Sequence, residues 1–110
     1  MLNRGAIIIR PGSAFREWAR ALDNSGIVPT TDCECTVYLV PEWTDEVEAL
    51  QMLADGFGEI FERELFGWHT DESAWPKNRT FAMFREWFDF EFHSVVEDLC
   101  AYALEDDVSR

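Results

Sequence analysis

The chain has almost no lysine. Lys77 is its only one, and the nine basic residues face 22 acidic ones, giving a formal net charge of −13. A field of that sign repels nucleic acid and anionic membrane and favours basic partners, so neither nucleic acid nor membrane is expected to bind. The few bases are also unevenly spread. Arg4, Arg10, Arg16 and Arg20 stand against Glu17 alone in the first 20 residues, a local balance of +3 that leaves −16 for the remaining 90.

Cysteine is scarce and odd in number: Cys33, Cys35 and Cys100. Free thiols are the expectation, with Cys35 a small buried strand residue and Cys33 a loop thiol. The single residue between Cys33 and Cys35 is shorter than a zinc-site gap, and Cys100, His69 and His93 are scattered, so no metal is expected. No apolar run approaches the ~20 residues of a membrane-spanning helix. The N-terminal stretch Ala6-Ile7-Ile8-Ile9 stops at Arg10-Pro11, far short of a signal-peptide core, which argues for a cytoplasmic setting. Gly56-Phe57-Gly58 lies within a helical pattern and not after a strand, so it is no phosphate loop. No nucleophile elbow or Ser-His-Asp pattern is present, and no cofactor is implied.

Aromatic side chains are what the sequence does have: five Trp, nine Phe and two Tyr. Six of them, Phe81, Phe84, Trp87, Phe88, Phe90 and Phe92, fall within twelve positions. At this length a chain buries roughly two thirds of its unfolded surface and needs no disulfide or metal staple. One globular domain over residues 1–104 is expected, followed by a frayed acidic tail at 105–110.

Three consecutive Ile within residues 4–10 predict a short strand buried on both faces, hence central. Ser13 is placed to cap a helix over 14–24 with Phe15, Trp18, Ala19 and Leu22 inward, ended by Asn24-Ser25-Gly26. A loop at 27–34 leads to a second strand at 35–41, closed by Pro41. Were these two strands parallel, their crossover would be right-handed. Thr44 caps a long helix whose apolar face reads Val47, Leu50, Leu53, Ala54, Phe57, Ile60, Phe61 and Leu65. Gly56 and Gly58 inside it require either close packing against the backbone or a bend. Residues 67–78 are a long loop. Asn78 or Thr80 caps a third helix over 79–88. The alternation from Phe88 to Glu97 then predicts a strand at 89–97, against the alternative of one continuous helix from 80 to 103. A further helical turn is expected at 99–104. The order β-α-β-α-α-β argues for an α+β fold: a two-layer α/β sandwich with a small three-stranded sheet and helices on one face.

Candidate functional residues fall into three groups. Loop 67–78 carries Trp68, His69, Asp71, Glu72 and Trp75; either Trp68 and Trp75 line a pocket, or both fold onto the core and the two acids cap a turn. His93 has Glu91 two residues before it on the same strand face, a pairing used in acid–base chemistry and equally common on any polar sheet face. Glu48, Asp55, Glu59 and Glu62 line the polar face of the long helix and suit a basic partner. The leading expectation is therefore a non-enzymatic interaction domain of the immunity, antitoxin-like or regulatory-adaptor kind, binding a basic protein. The alternative is a small-ligand-binding protein or enzyme using loop 67–78 with His69 and His93. A homodimer through the sheet is also expected, because the sheet face away from the helices and its open edges both offer contact surface.

Overall fold

The computed structural model describes residues 1–22 and 35–106. Asn24, Ser25, Gly26, the loop 27–34 with Cys33, and the tail beyond residue 106 lie outside the described residues. In chain order the described residues form β1 (Gly5–Pro11), α1 (Ser13–Leu22), β2 (Thr36–Val40), α2 (Glu46–Trp68), a 3-10 turn (Glu72–Ala74), α3 (Phe81–Trp87) and β3 (Phe88–His93). The fold is α+β, in the order β-α-β-α-α-β.

The sheet order is β2-β1-β3, so the Ile-rich strand is central, and both pairings are antiparallel. No parallel crossover exists between β1 and β2. Register sorts the side chains onto two faces, since residues directly opposite across a ladder share a face. Ile7 faces Tyr38 and Phe92, and Ile9 faces Thr36 and Phe90. This face carries the helices. Ile7 and Ile9 join Phe15 from α1, Leu53, Ile60, Phe61 and Leu65 from α2, and Phe84 from α3 in one buried cluster. Phe61 is its hub, with ring centroids 5.9 Å from Phe84, 5.5 Å from Trp87 and 5.3 Å from Phe88. Burying each such ring contributes about 1.5–3 kcal/mol.

The opposite face presents Ala6, Ile8 and Arg10 from β1, Val37 and Leu39 from β2, and Asp89, Glu91 and His93 from β3. Its outer strands are exposed. A sheet with one packed and one solvated face is the usual antiparallel solution.

Several expected boundaries move, each for a local reason. Asp45, not Thr44, caps α2: its carboxylate accepts from the Glu48 backbone N–H at 2.8 Å, while the Thr44 hydroxyl donates to the Glu48 carboxylate. Val47 lies 78% exposed and Ala49 takes the buried position. Leu22 is exposed at the end of α1. The long helix runs on to Trp68, where the His69 N–H closes on the Leu65 carbonyl. Thr80 caps α3, and Asn78 instead adopts a left-handed backbone with φ of 56°, a conformation that Asn tolerates better than most residues.

The strand alternative at the C-terminal end holds, but β3 stops at His93 instead of continuing to residue 97. Its partner runs out: His93 pairs with Ala6, and β1 begins at Gly5. Beyond it, among the described residues, only Leu2 N–H to Val96 O, at 2.7 Å, and the N-terminal amine to Glu97, at 3.0 Å, tie the two segments together. Residues 99–104 form no helical turn. Cys35 precedes β2 and is exposed, not buried.

Candidate functional site

The loop after α2 is spent on structure. Trp75 is 6% exposed and belongs to the core, its indole N–H donating to the His69 carbonyl at 2.8 Å. Trp68 is half-buried against the same core. The indole of Trp18 bonds the Ala74 carbonyl at 2.9 Å, binding the loop to α1. Asp71 caps the 3-10 turn, accepting from the backbone N–H and the hydroxyl of Ser73, and those bonds hold its carboxyl below the usual range. Glu72 is exposed in that turn's first position. Arg79 stacks over Phe61 and Trp75, with its guanidinium carbon 5.8 and 6.0 Å from their ring centres.

His93 and Glu91 do meet, with His93 Nε2 3.1 Å from Glu91 Oε1. Arg10 joins from the central strand, its two terminal nitrogens 3.1 and 3.3 Å from the Glu91 carboxylate oxygens. The guanidinium first, then the imidazole, holds Glu91 below the ordinary carboxylate range, and Glu91 in turn raises Arg10. All three are on the solvated sheet face. His69 lies beside Asp71 and His93 beside Glu91, on different elements. Among the described residues no group of three or more His, Cys, Asp or Glu is placed to hold a metal.

The polar face of α2 divides in two. In its second half Glu59 pairs with Arg63 at 3.2 Å and Glu62 with Arg79 at 3.8 Å. In its first half the carboxylates meet only neutral groups among the described residues: Glu48 takes the Thr44 hydroxyl and Asp55 the Gln51 amide. Glu46 stands in the first turn, where the helix dipole favours an anion. It borders a recess of about 410 Å³ with Trp43, Phe90, Phe92 and Ser94. The Trp43 ring lies edge-on to Phe92 at 5.8 Å and covers the backbone of Gly5, where any Cβ would collide with it. Aromatic walls beside a carboxylate are the surroundings a guanidinium or ammonium group prefers.

A larger groove of about 880 Å³ runs between β2 and α2, floored by Ile7, Leu53 and Ile60. At its side Glu64 binds α2 to β2, accepting the Tyr38 hydroxyl at 2.6 Å and the Thr36 hydroxyl. Burial pushes the Glu64 carboxyl up, against the opposing pull of those hydrogen bonds. Sequence reasoning passed over Glu64, although the signal was there. It sits four residues after Ile60 and seven after Phe57, on the apolar face of the helix.

Comparison of the chain with models of known protein families, with curated proteins and with solved structures finds no match.

Proposed function

We propose that this chain is a non-enzymatic acidic interaction domain, of the immunity, antitoxin-like or regulatory-adaptor kind, that binds a basic protein partner. One observation carries the reading: among the described residues no charged residue is fully buried, Glu64 being partly enclosed, so nearly all of their acidic excess is expressed at the surface. The first half of α2 is where it is least compensated. Glu46, Glu48 and Asp55 have no cationic neighbour there among the described residues, and the Trp43 recess beside Glu46 sets aromatic rings next to carboxylates, which supports binding of an Arg or Lys side chain. The competing ligand-site reading draws no comparable support, because Trp75 is in the core and Asp71 is committed to its turn.

Surface charge mainly accelerates encounter and confers salt sensitivity. Immobilised full-length protein should therefore retain a basic protein from a host extract at about 50 mM salt and release it by about 0.5 M. The triple variant Glu46→Gln, Glu48→Gln, Asp55→Asn should retain at least tenfold less. Equal retention by the variant, or a captured protein that resists high salt, would refute the reading.

A further inference from the structure

The recess beside the start of α2 has aromatic walls and an acidic rim. Trp43, Phe90 and Phe92 line it, each half-buried, so part of every ring stays accessible. The rings hold one another: Trp43 lies edge-on to Phe92 at 5.8 Å, and Phe92 is 5.6 Å from Phe90. Trp43 can lie there because Gly5 has no Cβ beneath it. Glu46, Glu91 and Ser94 complete the lining. The Glu91 carboxylate is already bound by Arg10 and His93. Glu46 is exposed and has no ion-pair partner among the described residues.

We propose that this recess binds the guanidinium of an arginine side chain. The inference rests on the basic-partner reading and names the residue such a partner inserts. Aromatic ring faces carry partial negative charge and attract a cation, most strongly one that has shed water. A guanidinium is flat and weakly hydrated, so it can lie on a ring while its N–H donors reach sideways to a carboxylate. A lysine ammonium is compact and strongly hydrated and gives up more to enter. The chain stacks its own arginines in this way, Arg79 over Phe61 and Trp75 and Arg85 over Phe81. Local charge agrees. The N-terminus of α2 carries about half a positive charge, which alone would repel a cation, but Asp45, Glu46 and Glu48 at that end reverse the sign.

Titration of the full chain with N-acetylarginine amide at constant ionic strength tests this, followed by nuclear magnetic resonance at the Trp43 indole N–H and the Ser94 backbone N–H. Saturable shifts at both are expected, with a dissociation constant of about 10 mM or lower. N-acetyllysine amide should bind at least about threefold more weakly. N-acetylcitrulline amide, similar in shape but uncharged, should bind at least about tenfold more weakly. Glu46→Gln should weaken arginine binding at least about threefold, whereas Glu72→Gln, the same change on the 3-10 turn, should leave it within about twofold. Trp43→Leu, followed at Ser94, should abolish saturation. No saturable shift up to about 100 mM, parity of lysine or citrulline with arginine, or equal effects of the two Gln variants would overturn the proposal. Salt-released capture of a basic protein without any arginine shift would leave the basic-partner reading standing and sink this one. Arginine shifts with no basic protein captured would do the reverse.

Discussion

Single residues in this fold differ in whether their surroundings can yield. A Cβ added at Gly12 would sit 2.8 Å from the Trp87 carbonyl oxygen, and the Gly12 N–H already bonds that oxygen at 2.7 Å. The obstacle is backbone, held by both α3 and β3. Gly12→Ala should cost about 1–3 kcal/mol. At Gly56 and Gly58 nothing among the described residues lies within 4 Å of an added Cβ, so no described neighbour requires glycine there. Gly56→Ala and Gly58→Ala should each stabilise by about 0.5–1 kcal/mol, through helix propensity and a less flexible unfolded chain. Urea denaturation of the three variants checks both signs at once. Glu64 gives a pH signature. Its folded pKa is raised by burial, so its contribution is fullest below the unfolded value and fades as pH climbs through the folded one. Glu64→Gln keeps an oxygen for Tyr38 and Thr36 but cannot ionise. Its stability relative to the wild type should rise over the range above about pH 4, the ordinary glutamate value. A constant difference across that range would show that ionisation of Glu64 costs the fold nothing.

At the scale of elements, the junction of α3 and β3 is the most economical feature, since helix passes to strand between Trp87 and Phe88 with no loop. Phe88 serves both. Its N–H closes the helix on the Phe84 carbonyl, and its ring packs 5.0 Å from Phe84 and 5.4 Å from Phe15. A helix of seven residues is too short to persist alone and depends on its cap and its packing. Thr80 accepts from the Met83 N–H at 3.1 Å. Thr80→Ala should cost about 1 kcal/mol, and Thr80→Ser should restore most of it. Thermal denaturation followed by far-ultraviolet circular dichroism would measure both. If the two variants were equal, the cap would be idle.

For the whole molecule, charge would act with opposite sign on a basic partner and on a second copy of the chain. A basic partner is drawn by the surface of −13 and released by salt, whereas a second copy is repelled by it and admitted by salt. The carboxylates without a cationic neighbour among the described residues and the Trp43 recess lie at the start of α2. Among the described residues no helix is long and apolar enough to cross a membrane.

The sequence by itself determined the element order, the central place of the Ile-rich strand and the helix-to-strand change near Phe88. Each follows from a local period or a breaker, and local signals are what a sequence carries directly. Half of the candidate site was legible in the same way: the excess of carboxylates, and the pairing of Glu91 with His93 two residues apart. Tertiary structure decided the rest, because it depends on residues far apart in the chain. It put Trp75 in the core by giving its indole the His69 carbonyl, and it brought Arg10 across the sheet to Glu91. It paired Glu62 with Arg79 and left Glu46 without a cation among the described residues. It also ended β3 where β1 runs out and put β2 last in the described sheet, a position set by which strands pair and not by the strand's own five residues.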